Sequence, residues 1–404
     1  MHILLPSVFT LALVILVSRL VGNVFRKFGQ PAVMGEVLGG IILGPSCIGL
    51  FFPQFTEIVF PPQSVSLLKH IAEVGILFYL FIIGLEIDLP RLSKSGKSAV
   101  LISQASIGLP FVLGLIFAGV IYEMYAPLGV GLLEFSIFLG VSLSVTAFPV
   151  LARILADSKL HRTSLAELAL TCAAADDIAA WCLVAIVSGL MQSALGGTAI
   201  TLGLTVIYLS VMLIFIRPFV EKWSEKNVKT GRVPESSFSV IIVGTLVSAA
   251  ITEAIGIHGL FGAFLFGAII PSESAIAEDL TERLQEFIRI LFLPAFFALT
   301  GIQTQIGLLV DLQDWLVCAV IIGLAVLGKF GGTYLAARIS GKNQKDSTIL
   351  GILMNTRGMV EIIVLNIGLS VGVLTPTLFT ILVIMAIVTT LMTGPLLNLI
   401  LNRK

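Results

Sequence analysis

Asp176 and Asp177 stand side by side in an otherwise apolar run, Thr171-Cys-Ala-Ala-Ala-Asp-Asp-Ile-Ala-Ala-Trp181. On a helix through this run, Asp177 falls about 22 Å from Arg162 at one end and about 20 Å from Leu190 at the other, near mid-depth of a bilayer. A charge there costs on the order of 3 kcal/mol and usually marks an ion pathway or a paired site. Neighbouring helical residues point about 100° apart, so the two carboxylates cannot share one ligand position. One can face a cavity while the other faces a partner helix. A hard monovalent cation needs oxygen ligands and a counter-charge, which the ionised acid supplies. A proton relieves the same buried charge, so proton and cation compete for one carboxylate. That competition is the minimum machinery of exchange. The alternative is a pair of acids neutralised by buried bases for stability alone.

Two bases lie at comparable depth: Lys329 in Leu327-Gly-Lys-Phe-Gly-Gly332, and Arg357 in Asn355-Thr-Arg-Gly358. Small residues around Lys329 permit close helix approach. Lysine can exchange its proton, which suits a partner whose ion pair breaks and re-forms; a purely structural role is the other reading. Arginine is always charged, so Arg357 reads as structural, paired with Glu361 one turn on. Lys69 and Glu73 have the same four-residue spacing and need only neutralise each other. Glu134 and Glu167 fall near helix ends, where water reaches them. Glu36 and Glu253 could line a funnel, although nothing in the sequence singles them out.

The stretch Ser142-Leu-Ser-Val-Thr-Ala-Phe-Pro-Val150 clusters hydroxyls around Pro149 inside an apolar segment. Proline removes a backbone donor, so unwinding is expected near Thr146, where freed carbonyls could coordinate a cation. An ordinary proline kink is the simpler alternative. A second polar interruption, Met354-Asn-Thr-Arg-Gly358, places Asn355, Thr356 and Arg357 at comparable depth.

These groups need a scaffold, and composition says which kind. Of 404 residues, 57% are hydrophobic and 12% charged, with a mean hydropathy of +1.06. Soluble domains carry about 25% charged residues, so this surface must face lipid. Soluble enzymes, nucleic-acid binders and disulfide scaffolds are excluded. Twenty-four basic residues balance 24 acidic ones, leaving no net field to attract nucleic acid. Cys47, Cys172, Cys182 and Cys318 have no metal or redox spacing and read as free, buried, small apolar side chains. The four histidines, His2, His70, His161 and His258, are too scattered to build a metal site. No metal beyond a transported cation, no cofactor, no nucleotide and no enzymatic activity is expected.

A spanning helix needs roughly 20 apolar residues. Cutting at charged and Pro/Gly-rich breaks predicts thirteen: 3–22, 31–52, 64–86, 98–124, 132–154, 163–190, 197–220, 236–255, 257–271, 286–303, 313–337, 347–372 and 375–401. The first run lacks a basic lead and a small-residue cleavage site, so it reads as a span and not a signal peptide. Basic residues follow every odd-numbered helix: Arg26 and Lys27; Arg91, Lys94 and Lys97; Lys159 and Arg162; Lys222, Lys226, Lys229 and Arg232; Arg283; Lys342 and Lys345; Arg403 and Lys404. The loops 53–63, 125–131, 191–196, 304–312 and 373–374 contain neither lysine nor arginine. This alternation predicts an outside N-terminus and a cytoplasmic C-terminus, with the plasma (inner) membrane as the expected location. No segment reads as a soluble catalytic or nucleotide-binding domain or carries a phosphate-cradling motif, so transport would be gradient-driven or passive.

The interrupted helices 5 and 12 are seven apart, an odd offset that inverts a 1–6/8–13 duplication in the membrane. Two crossing broken helices beside midplane charges, in an all-α integral membrane fold with an inverted repeat, describe a secondary transporter.

Four segments resemble the monovalent cation:proton antiporter superfamily, in the branch containing plant cation/proton exchangers and bacterial sodium/proton antiporters. They are Ser144-Val-Thr-Ala-Phe-Pro-Val-Leu-Ala-Arg-Ile-Leu155, Asp176-Asp177, Gly328-Lys-Phe-Gly-Gly332 and Met354-Asn-Thr-Arg-Gly-Met-Val-Glu-Ile-Ile-Val-Leu-Asn366. The resemblance implies a homodimer in lipid. Helices 1–3 (1–90) and 8–10 (235–305) would form its scaffold, helix 7 (196–234) would link, and helices 4–6 (91–195) and 11–13 (306–404) would form a mobile ion-carrying core. It implies that Asp177 binds cation or proton, that Asp176 pairs with Lys329, and that Thr146 and Asn355 belong to the crossing stretches. Adjacent acids usually accompany electrogenic exchange in the superfamily. The last motif reads closest to plant exchangers often linked to potassium, yet those typically lack the double Asp.

The expected function is therefore Na⁺/H⁺ exchange, favoured over K⁺/H⁺, by an elevator-like motion. A passive cation channel would use the same polar centre. An intramembrane aspartyl protease is remote, because its two acids must flank one peptide bond, and these diverge.

Overall fold

The computed structural model describes residues 4–87, 96–156, 160, 163–192, 198–227 and 233–402. Among them the chain is helical and contains no strand. Several basic loop residues of the topology argument lie outside the described residues: Arg91, Lys94, Lys159, Arg162, Lys229, Arg232, Arg403 and Lys404. His2 and His161 do as well.

Eleven described helices are long and apolar enough to cross a bilayer, and the pair Gln344–Met354 and Met359–Ser370, bent by 41°, makes a twelfth. The remaining expected span, the ninth, at 257–271, is the ten-residue helix Gly259–Ala268. It rises about 15 Å, half the hydrocarbon thickness. The preceding helix Glu235–Ile255 stops at Gly256, whose φ of 94° is left-handed, a conformation glycine adopts without steric penalty. Glu253 accepts a 2.6 Å bond from the Gly259 amide and so caps the short helix.

Two other boundaries differ from the sequence reading. The second span, expected to continue to 52, breaks after Leu43 at Gly44-Pro45 and resumes as Ile48–Phe51, because Pro45 has no amide to continue the ladder. The span expected at 286–303 is preceded by a further helix, Ala275–Phe287, capped by Ser274. Its Glu278, Asp279, Glu282, Arg283 and Glu286 hide it from a search for apolar runs. Arg283 and Asp279 are joined at 2.9 Å.

The chain forms two compact units. The first comprises Met1–Val65, Ser95–Val184 and Phe297–Lys404; the second comprises Ser66–Lys94 and Ala185–Phe296. In the second, Tyr208 and Ser248 hydroxyls meet at 2.6 Å, and Ser248 donates to the Gly262 carbonyl at 2.7 Å. Three helices are thereby tied by polar contacts, the type of glue that apolar surroundings leave available. Lys69 and Glu73 approach to 3.8 Å and stay half-exposed.

In the first unit, the helix Lys97–Tyr125 packs along the helix Leu132–Ser144. A Cβ on Gly114 would lie 2.7 Å from the Gly140 Cα, so the two backbones touch there without intervening side chains. Lipid adds no hydrophobic drive between helices, and close backbone packing supplies the attraction instead. Elsewhere Leu5, Phe9, Leu16 and Leu20 on the helix Leu4–Lys27 are exposed, an apolar face suited to lipid. All four cysteines are free. Cys172 and Cys318 are buried, but Cys182 is exposed and Cys47 half-buried, which corrects the expectation that all four are interior.

Candidate ion-binding site

Both sequence-predicted breaks are present, and they touch. The helix Leu132–Ser144 ends with Val145 in extended backbone, and a new helix, Phe148–Ala156, begins three residues later. Pro149 is the second residue of that new helix, where its missing amide costs nothing. The other break runs over 355–358, between Gln344–Met354 and Met359–Ser370. The Ala147 amide donates to the Thr356 carbonyl at 3.1 Å, joining the two unwound stretches. A Cβ on Gly358 would sit 2.5 Å from Val150 Cγ2. Glycine is thus required by the closeness of the crossing.

Beside the crossing lies a fully buried ion pair. Lys329 Nζ is 3.1 Å from Asp176 Oδ2, and neither side chain has exposed surface. Ser103 donates to Asp176 Oδ1 at 2.8 Å, and Thr146 donates to Oδ2 at 2.8 Å. Ser106 also donates to Oδ2, and Lys329 donates to Thr146 Oγ1. Asp176 therefore receives three hydroxyls and an ammonium. This is the satisfaction a buried carboxylate needs. Lys329 reaches it from a π-helical turn, Leu327–Gly331, a widened turn often found at functional sites. Gly328 and Gly332 lie directly against the Lys97 helix: a Cβ on Gly328 would be 2.7 Å from Pro110 Cα, and one on Gly332 2.5 Å from the Ala105 carbonyl oxygen. That approach carries Lys329 to Ser106.

Ser103 and Ser106 were not singled out in the sequence. Their signal was a pair of hydroxyls one turn apart in an apolar helix. It is weak, because such hydroxyls commonly bond their own helix, as Ser142 and Ser144 do here to the Phe138 and Gly140 carbonyls.

Asp177 is the opposite case. It is as buried as Asp176, at 1% exposure, yet neither of its carboxylate oxygens has a hydrogen-bond partner. The Phe148 amide, first in its helix, is directed at it without meeting hydrogen-bond geometry. An N-terminal helix end carries partial positive charge and favours an anion there.

Arg357 is also completely buried. Its Nη1 lies 3.0 and 3.1 Å from the two Glu361 carboxylate oxygens and donates to the Ser142 carbonyl at 2.8 Å; its Nη2 donates to the Leu143 carbonyl at 2.5 Å. The guanidinium thus caps the last turn of the Leu132 helix, whose terminal carbonyls the break leaves without amide partners.

The acidic and basic side chains buried to 1% or less, among the described residues, are Asp176, Asp177, Lys329, Arg357 and Glu361. All belong to the first unit. Of these five, Asp177 is the one outside the two ion pairs. A single proton or monovalent cation balances it; a divalent ion would overshoot.

The model of the family described as "Sodium/hydrogen exchanger, transmembrane" matches residues 12–403. The chain belongs to this family. It is 40% identical over 94% of its length to the Na(+)/H(+) antiporter NhaS4 of Synechocystis, covering 93% of that protein. It is also 40% identical to Cation/H(+) antiporter 20 of Arabidopsis thaliana and 32% identical to K(+)/H(+) antiporter 1 of Saccharomyces cerevisiae. The chain covers 95% and 97% of itself in these two matches but only 47% and 46% of the relatives, so it spans about half their length. Its fold is similar to that of the sodium proton antiporter MjNhaP1 from Methanocaldococcus jannaschii, with a TM-score of 0.71 at 15% identity over 98% of this chain and 97% of that one. The family and the apolar helices place the chain among multi-pass membrane transporters.

Proposed function

We propose that this chain is a secondary active antiporter that exchanges a monovalent cation, Na⁺ in preference to K⁺, for protons, with both competing for Asp177. The observation that carries the reading is the asymmetry of the acid pair. Asp176 is fully satisfied by Lys329 and three hydroxyls, whereas Asp177 is buried with both oxygens free. An unpaired buried carboxylate is costly, so it demands a positive occupant. Protons and monovalent cations are the occupants whose single charge fits. Thr146 bridges the two elements: it braces Asp176 and belongs to the break facing Asp177.

The sodium preference draws support from the relative whose length the chain nearly matches, named a Na(+)/H(+) antiporter; the yeast relative, named a K(+)/H(+) antiporter, supports the alternative. Electrogenic exchange is part of this reading, supported by the adjacent acids Asp176 and Asp177 and by the ion pair of Asp176 with Lys329. In this reading the core segments 91–195 and 306–404 move as an elevator against a scaffold of 1–90 and 235–305, linked by 196–234, in a homodimer. The protein sits in the inner membrane with the N-terminus outside and the C-terminus cytoplasmic.

Proteoliposomes loaded with a pH-sensitive dye and given pulses of Na⁺, K⁺ or Li⁺ test the reading. The expected result is cation-dependent proton movement, half-saturated at lower Na⁺ than K⁺ and accelerated by an imposed membrane potential. A lower half-saturation for K⁺ overturns the cation preference. Cation flux that leaves protons unmoved makes the protein a channel.

A further inference from the structure

Buried oxygens without partners at the crossing point to further members of the Asp177 site. Building on the antiport reading above, we infer that Asn355 and Thr356 are cation ligands, contributing a neutral amide oxygen and a neutral hydroxyl oxygen that set which cation is accepted. Asn355 Oδ1 and Thr356 Oγ1 are buried and make no hydrogen bond, as do both oxygens of Asp177. Asn355 is 4% exposed and Thr356 not at all. Asn355 and Thr356 lie in one break, whose Thr356 carbonyl receives the Ala147 amide of the other, and the next amide there, that of Phe148, is the one directed at Asp177.

Native interiors leave few polar atoms unpaired, and each one so left calls for a cause. Both oxygens of Asp177, Asn355 Oδ1 and Thr356 Oγ1 share a cause if a cation sits among them; Arg357 Nε, also without a partner, is a donor and is no ligand. Lys329 and Arg357 cannot be that cation. Each is held by its own carboxylate, and Arg357 is held further by the Ser142 and Leu143 carbonyls. The break itself supplies the reason these side chains are available. An asparagine or threonine within a regular helix tends to bond back to its own backbone, whereas residues 355–358 have left the helix. One charged and two neutral oxygens suit a weakly held monovalent ion that must also leave.

The assignment predicts a change in selectivity, which loss of a merely structural contact would not produce. In proteoliposomes, Asn355→Ala and Thr356→Val should each raise the half-saturating Na⁺ concentration about tenfold, the effect of one lost favourable contact. The rise should exceed any fall in maximal rate, and the ratio of Na⁺ to K⁺ half-saturation should shift in both variants. Thr356→Ser, which keeps the hydroxyl, should restore the wild-type value. Asn355→Leu, which keeps the volume and removes the oxygen, serves in place of the alanine variant if that protein does not fold. Unchanged half-saturation and unchanged cation ranking in both positions overturn the ligand assignment. So does a uniform loss of rate for all cations, the signature of a structural role or of an ordered water bridging these atoms. Failure of the underlying reading looks different: an Asp177→Asn variant that still exchanges cations for protons.

Discussion

Replacing Lys329 by alanine strips Asp176 of its ammonium partner and leaves a carboxylate with no exposed surface. Breaking a buried pair by removing one member costs about 3–5 kcal/mol. Ser103, Ser106 and Thr146 still donate to Asp176, so the loss should fall near the lower figure, about 3 kcal/mol. Asp176→Asn leaves the ammonium facing Thr146 and Ser106 and should cost a similar amount, about 3 kcal/mol. The double variant contains neither charge. Removing a buried pair together is often close to neutral, so the double variant should lose only about 1–2 kcal/mol, far less than the two single losses combined. The assay is denaturant unfolding of the purified protein in detergent micelles for wild type, both single variants and the double. The expected coupling is the difference between the summed single losses and the double loss, about 4–5 kcal/mol. Additive losses, agreeing within about 0.5 kcal/mol, would refute the reasoning, because the two groups would then not sense each other.

Two further predictions rest on other parts of the first unit. Arg357→Ala removes the cap on the Ser142 and Leu143 carbonyls and strands Glu361; unfolding measurements should show a loss of about 3–5 kcal/mol, partly recovered by adding Glu361→Gln. Gly114→Ala pushes a methyl group to within 2.7 Å of the Gly140 Cα, whereas a Cβ at Gly119 meets nothing within 4 Å. The first substitution should destabilise by about 1–3 kcal/mol through overpacking. The second, on the same helix, should be neutral or better, since alanine is the stronger helix former.

Much of the site was legible because charges and prolines stand out in apolar sequence. Asp176, Asp177, Lys329 and Arg357 are conspicuous at mid-span, and the four-residue spacing of Arg357 and Glu361 pairs them on one helix face. Both helix breaks announced themselves through Pro149 and the polar run at 355–358. What the residues alone left open was which acid takes the lysine. Adjacent helical positions diverge, and only the placement of neighbouring helices decides which one meets a partner. Ser103 and Ser106 were invisible for a related reason: a serine in an apolar helix has its own backbone as a ready acceptor, so its reach across to Asp176 depends on how Ala99 and Ile102 pack against Ala169, Cys172 and Ala173. The fold was least legible where apolar length is a poor guide. The amphipathic Ala275 helix precedes its span with charges, and the helix Gly259–Ala268 is apolar enough to resemble a crossing but too short to make one alone.

The central claim is that Asp177 is an ion-binding group and not a structural one, and Asp177→Asn tests it most directly. Because Asp177 makes no hydrogen bond, the variant should unfold at the same denaturant concentration as wild type or a higher one, unlike Asp176→Asn. In proteoliposomes it should show no cation-dependent proton movement with Na⁺, K⁺ or Li⁺. Exchange that persists in folded Asp177→Asn protein contradicts the account.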